Sequence, residues 1–158
     1  MLQSLQLDNY RNFDKLFLDG FRRINILSGM NNTGKTSILE AIFMAHDRYA
    51  ADFSIKPLVW RGLTLFEMNA RSIWHPYFHN FDFEKPIKIT LSDSGYKSVV
   101  EYRISKSVNT SFILDSINKN PGAVMDSSVS EDETMNTFYF ENNKKTGSSK
   151  ITIGPNNQ

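Results

Sequence analysis

Hydrophobic and polar positions alternate from the start of the chain. In "LQSLQLDNYRNF" Leu5 and Leu7 fall on one side and Gln6 and Asp8 on the other, the period of a half-buried strand. "FDKLFLD" repeats the alternation through Leu16 and Leu18 and stops at the turn signal Asp19-Gly20, so two adjacent strands are predicted. "INIL", Ile24 to Leu27, is short, β-branched and bounded by polar residues, which predicts a buried central strand. From Gly34 the period lengthens. Ile38, Leu39, Ile42, Ala45, His46 and Tyr49 share one helical face, with Glu40 and Asp47 off it, so a helix follows.

Residues 51–85 are rich in aromatics, among them Phe53, Trp60, Phe66, Trp74, Tyr77, Phe78, Phe81 and Phe83, broken by Pro57, Gly62 and Pro76. Short helices and loops with aromatic core packing are expected there. "PIKITLSD" and "YKSVVEYRIS" flank Asp93-Ser94-Gly95 and predict a hairpin. "TSFILDS" is a possible further strand, and residues 117–136 form an Asn/Ser-rich polar stretch expected to be a loop. "TFYFE" and "KITIG" then predict a last strand pair around "NNKKTGSS". The chain divides into a strand-loop-helix core over 1–50, the aromatic segment over 51–85 and an antiparallel β lobe over 86–158.

Composition narrows the setting. A chain of 158 residues with 40% hydrophobic content is sized for one packed domain. A formal charge of +1 gives no overall pull toward nucleic acid or membrane. With no cysteine, disulfides and thiolate metal sites are excluded and a reducing, cytoplasmic setting is expected. Apolar runs are too short for a membrane span, and the N-terminal residues lack the pattern of a signal peptide.

The chemistry concentrates in Gly29-Met30-Asn31-Asn32-Thr33-Gly34-Lys35-Thr36, which fits G-x-x-x-x-G-K-[ST] throughout. A loop wrapped round a polyphosphate turns its amides inward, and glycines allow the angles and the close approach this needs. The following helix adds its unpaired amides and the positive end of its dipole. The candidate nucleotide-binding set is Gly29, Asn31, Asn32, Thr33, Gly34, Lys35, Thr36 and Ser37. Lys35 is expected to reach the β/γ-phosphates of ATP, and the Thr36 hydroxyl to hold Mg²⁺. Asn31-Asn32 suits the loop because asparagine tolerates left-handed backbone angles.

"LQLDNYRNF…INILSGMNNTGKTSILEAI" resembles the start of the ATP-binding head of SMC, RecF and related ABC-class ATPases, and "NNTGKTSILEAI" most resembles the OLD (overcoming lysogenization defect) family. The resemblance implies an α/β P-loop NTPase of ABC-ATPase type, present as the N-terminal part of a head, with a mixed sheet and an antiparallel strand-rich lobe. It implies that Arg11 and Asn12 lie near the nucleotide; a solvated turn is the other reading. It also implies partners: the rest of the head, a Toprim nuclease domain, a second head joined through ATP, and DNA, in antiphage defence or, in the RecF/SMC alternative, repair without a nuclease. A truncated, non-catalytic interaction module is a third reading.

The remaining machinery of such a head is not visible. "FILDS" offers Asp115, but Ser116 stands where a catalytic Glu is needed, and "LSDSG" resembles a signature loop in a hairpin context. No catalytic residue is identified. Glu131-Asp132-Glu133 is expected to be a solvated charge run in the polar loop. His75 and His79 are four apart, but Pro76 and the missing Glu argue against a zinc motif. Arg22, Arg23, Arg61 and Arg71 are expected to be surface charges.

Overall fold

Leu7 shows how the sheet is assembled. In the computed structural model, which describes residues 1–47, 56–62, 70–108 and 131–153, it sits opposite Leu16 on one side and Ile89 on the other. Ile89 in turn pairs with Val100, and Val100 with Tyr139. One apolar row thus crosses five strands, the consequence of strands that each alternate with period two in a common register.

The strands are β1 (Ser4–Tyr10), β2 (Phe13–Asp19), β3 (Ile87–Asp93), β4 (Tyr96–Val108), β5 (Glu131–Glu141) and β6 (Lys144–Ile153). Their order is β2-β1-β3-β4-β5-β6, and every pairing is antiparallel. Among the described residues three helices accompany them: α1 (Lys35–His46), α2 (Lys56–Trp60) and α3 (Ala70–Trp74), with two 3-10 turns at His75–Tyr77 and His79–Phe81. Among the described residues no helix is long and apolar enough to cross a membrane.

The core lies on one face of the sheet. Leu5, Leu7, Ile87, Ile89, Val100, Tyr102 and Met135 meet Ala41, Met44 and Ala45 of α1, Leu58 of α2, and Ile73, Trp74, Tyr77 and Phe78 of the aromatic run. The opposite face carries Gln6, Asp8, Lys88 and Thr90, and there Lys88 and Arg103 both pair with Glu101. Each fully buried Leu or Ile contributes about 1.5–3 kcal/mol over its exposed state, so the single apolar face is what holds α1 to the sheet.

Several expectations match. Ser94-Gly95 is the hairpin turn between β3 and β4, with Gly95 at φ 78. Trp74, Tyr77 and Phe78 are core residues, whereas Trp60 and Phe81 are exposed. Tyr49, Phe53, Phe66, Arg71's side chain, "TSFILDS" with Asp115, and residues 117–130 lie outside what is described.

Four expectations are corrected. Ile24 to Leu27 is not a strand: Ile24 and Ile26 are 80% and 87% exposed. The segment has no ladder partner among the described residues, and Asn25 instead bonds back to Arg22 through both its amide groups, a local alternative to pairing. The buried face of α1 is Ser37, Ile38, Glu40, Ala41, Met44 and Ala45, leaving Leu39 exposed, so the apolar stripe is rotated and includes a carboxylate. Residues 131–136 belong to β5 rather than a loop, because Met135 faces the core opposite Ile104 and the run ladders along β4. The last turn is likewise only Asn142-Asn143, both at positive φ, with Lys144 to Ser149 already in β6.

Tyr10 ends β1 fully buried, its hydroxyl 3.6 Å from Met44 Sδ. Burial disfavours the phenolate and pushes its pKa up to about 12. An unfolded tyrosine titrates near 10, so the unfolded state loses its proton first and stability falls as pH rises between those values. Below pH ~10 the contribution is fully present. Urea denaturation of Tyr10→Phe should therefore show a shallower alkaline loss than the parent chain, by up to about 1.4 kcal/mol per pH unit; identical slopes would overturn the assignment.

Candidate phosphate-binding site

The loop before α1 is shaped by three residues with positive φ: Gly29 at 151, Asn32 at 63 and Gly34 at 92. Asn32 adopts the left-handed conformation that asparagine tolerates best after glycine. Gly34 is the N-cap of α1, and a Cβ there would stand 2.4 Å from Phe13 Cζ, so both the backbone angle and the packing of β2 require glycine. Ile38 N donates to Gly34 O at 3.0 Å, closing the first helical turn.

Side chains hold the loop in its curve. Lys35 Nζ donates to Gly29 O at 2.8 Å and to Met30 O, and Thr33 Oγ1 donates to Met30 O at 2.9 Å. Asn12 Nδ2 donates to Asn32 O at 3.3 Å, which links the β1–β2 turn to the loop. Thr36 is exposed at the helix start and Ser37 is buried beneath it. The ammonium of Lys35 and the hydroxyl of Thr36 therefore stand at the mouth of the helix dipole, the arrangement that binds anions.

A cleft of about 650 Å³ runs from this loop across Arg11, Asn12 and Arg61 to Pro76 and residues 78–81. Arg11 sits at φ 49 in the β1–β2 turn, its side chain nine-tenths buried. Its guanidinium lies 4.3 Å from the Tyr77 ring centroid, and Nε is 3.0 Å from Glu40 Oε2. Its Nη2 is buried with no hydrogen-bond partner among the described residues, a costly state that an acceptor in the cleft would relieve.

Glu40 is the residue that sequence reasoning missed. It is 3% exposed and takes Arg61 as well, with Nε to Oε1 at 2.7 Å and Nη2 to Oε2 at 3.1 Å. Arg61, expected as a surface charge, is thus a wall of the cleft, and the Glu40 pairing holds its guanidinium above its usual pKa. The only sequence signal was the i, i+4 relation of Thr36 and Glu40, which puts them on one side of α1. Arg11, Lys35 and Arg61 set three cations against one carboxylate, so the cleft favours anionic ligands.

The other candidates go elsewhere. Glu133, expected in a solvated charge run, is buried and meets His75 Nε2 at 3.0 Å. His79 Nδ1 lies 2.9 Å from the Arg11 carbonyl, so the two histidines serve different partners.

Hairpin, glycine-bearing loop and α1 together make this an α/β P-loop NTPase-type fold with a strand-rich antiparallel sheet. Over residues 1–155 the sequence matches the AAA ATPase domain family, and the chain belongs to that family. ATP and Mg²⁺ are the ligands such domains take in general. A 43-residue stretch, 27% of this chain, is 44% identical to an ATP/GTP phosphatase of Helicobacter pylori. Stretches of 42 and 43 residues are 50% and 51% identical to the DNA replication and repair protein RecF of Clostridium acetobutylicum and of Clostridioides difficile. Each match spans 12% of the relative's length. The partial likeness to RecF-like ATPases does not single out the OLD family.

Glu40→Ala would leave Arg11 buried without its counter-charge. We expect a loss of about 3 kcal/mol in urea denaturation, the low end for a broken buried pair because Arg61 reaches solvent. Glu40→Gln should lose less, and a neutral Glu40→Ala would show that the pairing does not carry the turn.

Proposed function

We propose that this chain is the phosphate-binding, N-terminal part of a RecF-like ABC-type ATPase head that works on DNA. The observation that carries the reading is the placement of the loop 29–36, Lys35, Thr36 and Arg11 Nη2, unpaired among the described residues, around one cleft. Backbone amides of Gly29, Asn31, Asn32, Thr33 and Gly34 would receive phosphate oxygens, with Ser37 supporting the loop from below. Lys35 would exchange its carbonyl partners for the β/γ-phosphates, and Thr36 would hold Mg²⁺. Arg11, oriented by Glu40, would offer Nη2 to a phosphate oxygen, with Asn12 keeping the loop in place. When bound, Mg-ATP supplies a cleavable phosphoanhydride and the charge that this cationic cleft is built to meet.

The names of the relatives, DNA repair proteins and a nucleotide phosphatase, support DNA and ATP turnover as the setting. Binding across two heads would make the assembly a homo-oligomer switched by ATP, with the other catalytic groups supplied from outside the residues described. The OLD-like reading, with a Toprim nuclease and a role against phage, is supported only by the wording of residues 31–42, so the repair-type reading is preferred.

Titration with a fluorescent ATP analogue tests the assignment. Lys35→Ala should weaken binding by at least about tenfold, in line with losing a charge-assisted contact. Thr36→Ala should cost more with Mg²⁺ than with EDTA, and equal losses would reject its role at the metal. The chain by itself should hydrolyse ATP negligibly; rapid turnover abolished by Lys35→Ala would overturn the view that catalytic groups come from elsewhere.

A further inference from the structure

Phe81 is an aromatic side chain in the wrong place for packing. It is 63% exposed, while Tyr77 and Phe78 of the same run are 1% and 3% exposed. Phe83 packs tilted against His75 at 4.0 Å and meets Phe78 edge-on at 5.5 Å. Phe81 has no such ring partner among the described residues, yet it lines the same cleft as Lys35 and Thr36. Its backbone is also strained. Asn80 and Phe81 are consecutive left-handed residues at φ 48 and 58, a conformation a bulky side chain resists and that glycine would adopt freely.

The strain is held from both sides by the β1–β2 turn. Before Phe81, Arg11 N donates to Tyr77 O at 2.8 Å, Tyr10 bridges Phe78, and the Arg11 carbonyl meets His79 Nδ1. After it, Asn9 Nδ2 donates to Asp82 O and Lys85 O, both at 2.8 Å. The turn that carries Arg11 toward the phosphate loop therefore also fixes the run that presents Phe81 to the cleft. At about 650 Å³ the cleft has the size of a small-ligand site, and both the polar groups of the loop and the exposed Phe81 line it.

Resting on the reading above, we propose that Phe81 is the stacking platform for the base of the nucleotide whose phosphates the loop holds. A ring face offers stacking to any base, and removing such a platform typically costs about 5- to 100-fold in affinity.

Calorimetric titration of the chain with ATP and with inorganic tripolyphosphate, both with Mg²⁺, separates the two parts of the site. Phe81→Ala should bind ATP about 5- to 100-fold more weakly and tripolyphosphate within about twofold of the parent. Phe81→Trp should bind ATP like the parent, and its added fluorescence should be quenched by ATP and not by tripolyphosphate. Unchanged ATP affinity in Phe81→Ala, or equal losses of both ligands in a variant with parental circular dichroism, would overturn the proposal. A parent chain that binds neither ligand would instead remove the phosphate-loop reading, and the stacking subsite with it.

Discussion

The structure turns on one buried carboxylate. Glu40 stands on the core side of α1 and accepts guanidinium groups from two other elements, Arg11 of the β1–β2 turn and Arg61 just after α2. Ionised groups leave water at a cost of several kcal/mol each, so the arrangement persists only because the charges meet at hydrogen-bond distance. What results is positional. The first hairpin, the phosphate loop's helix and the aromatic segment are locked to one another at the cleft.

The β1–β2 turn is the second half of that device. Asn9 at the end of β1 and Arg11 in the turn adopt left-handed angles within three residues, and Asn9, Tyr10 and Arg11 together reach the aromatic run at Tyr77, Phe78, His79, Asp82 and Lys85. Asn12 reaches the phosphate loop at Asn32. A short turn thus joins the cationic and aromatic parts of the cleft. Sites built on such over-determined backbone hold their geometry better than sites on free loops, which is why strained residues recur where ligands bind.

Beyond the cleft the sheet serves as a rigid backing. The apolar row from Leu16 to Tyr139 fixes register, and a slip of one residue in any strand would move its core residues to the polar face. Ile24 and Ile26 are among the exceptions to this economy of burial. They sit on a segment with no ladder partner among the described residues, so pattern alone did not secure their burial.

Much of the site was legible from residue order. The spacing of Gly29, Gly34, Lys35 and Thr36 defines a loop and a helix start by local rules, since left-handed angles, capping and the helix dipole act within a few residues. Leu5, Leu7 and the Ser94-Gly95 turn were readable for the same reason. The three-dimensional structure alone decided that Glu40 is buried, that Arg61 joins it, that Glu133 meets His75, and that Ile24 to Leu27 stays outside the sheet. Those outcomes depend on which distant segments supply a counter-charge or a ladder partner, and a side chain's own sequence neighbourhood does not carry that information.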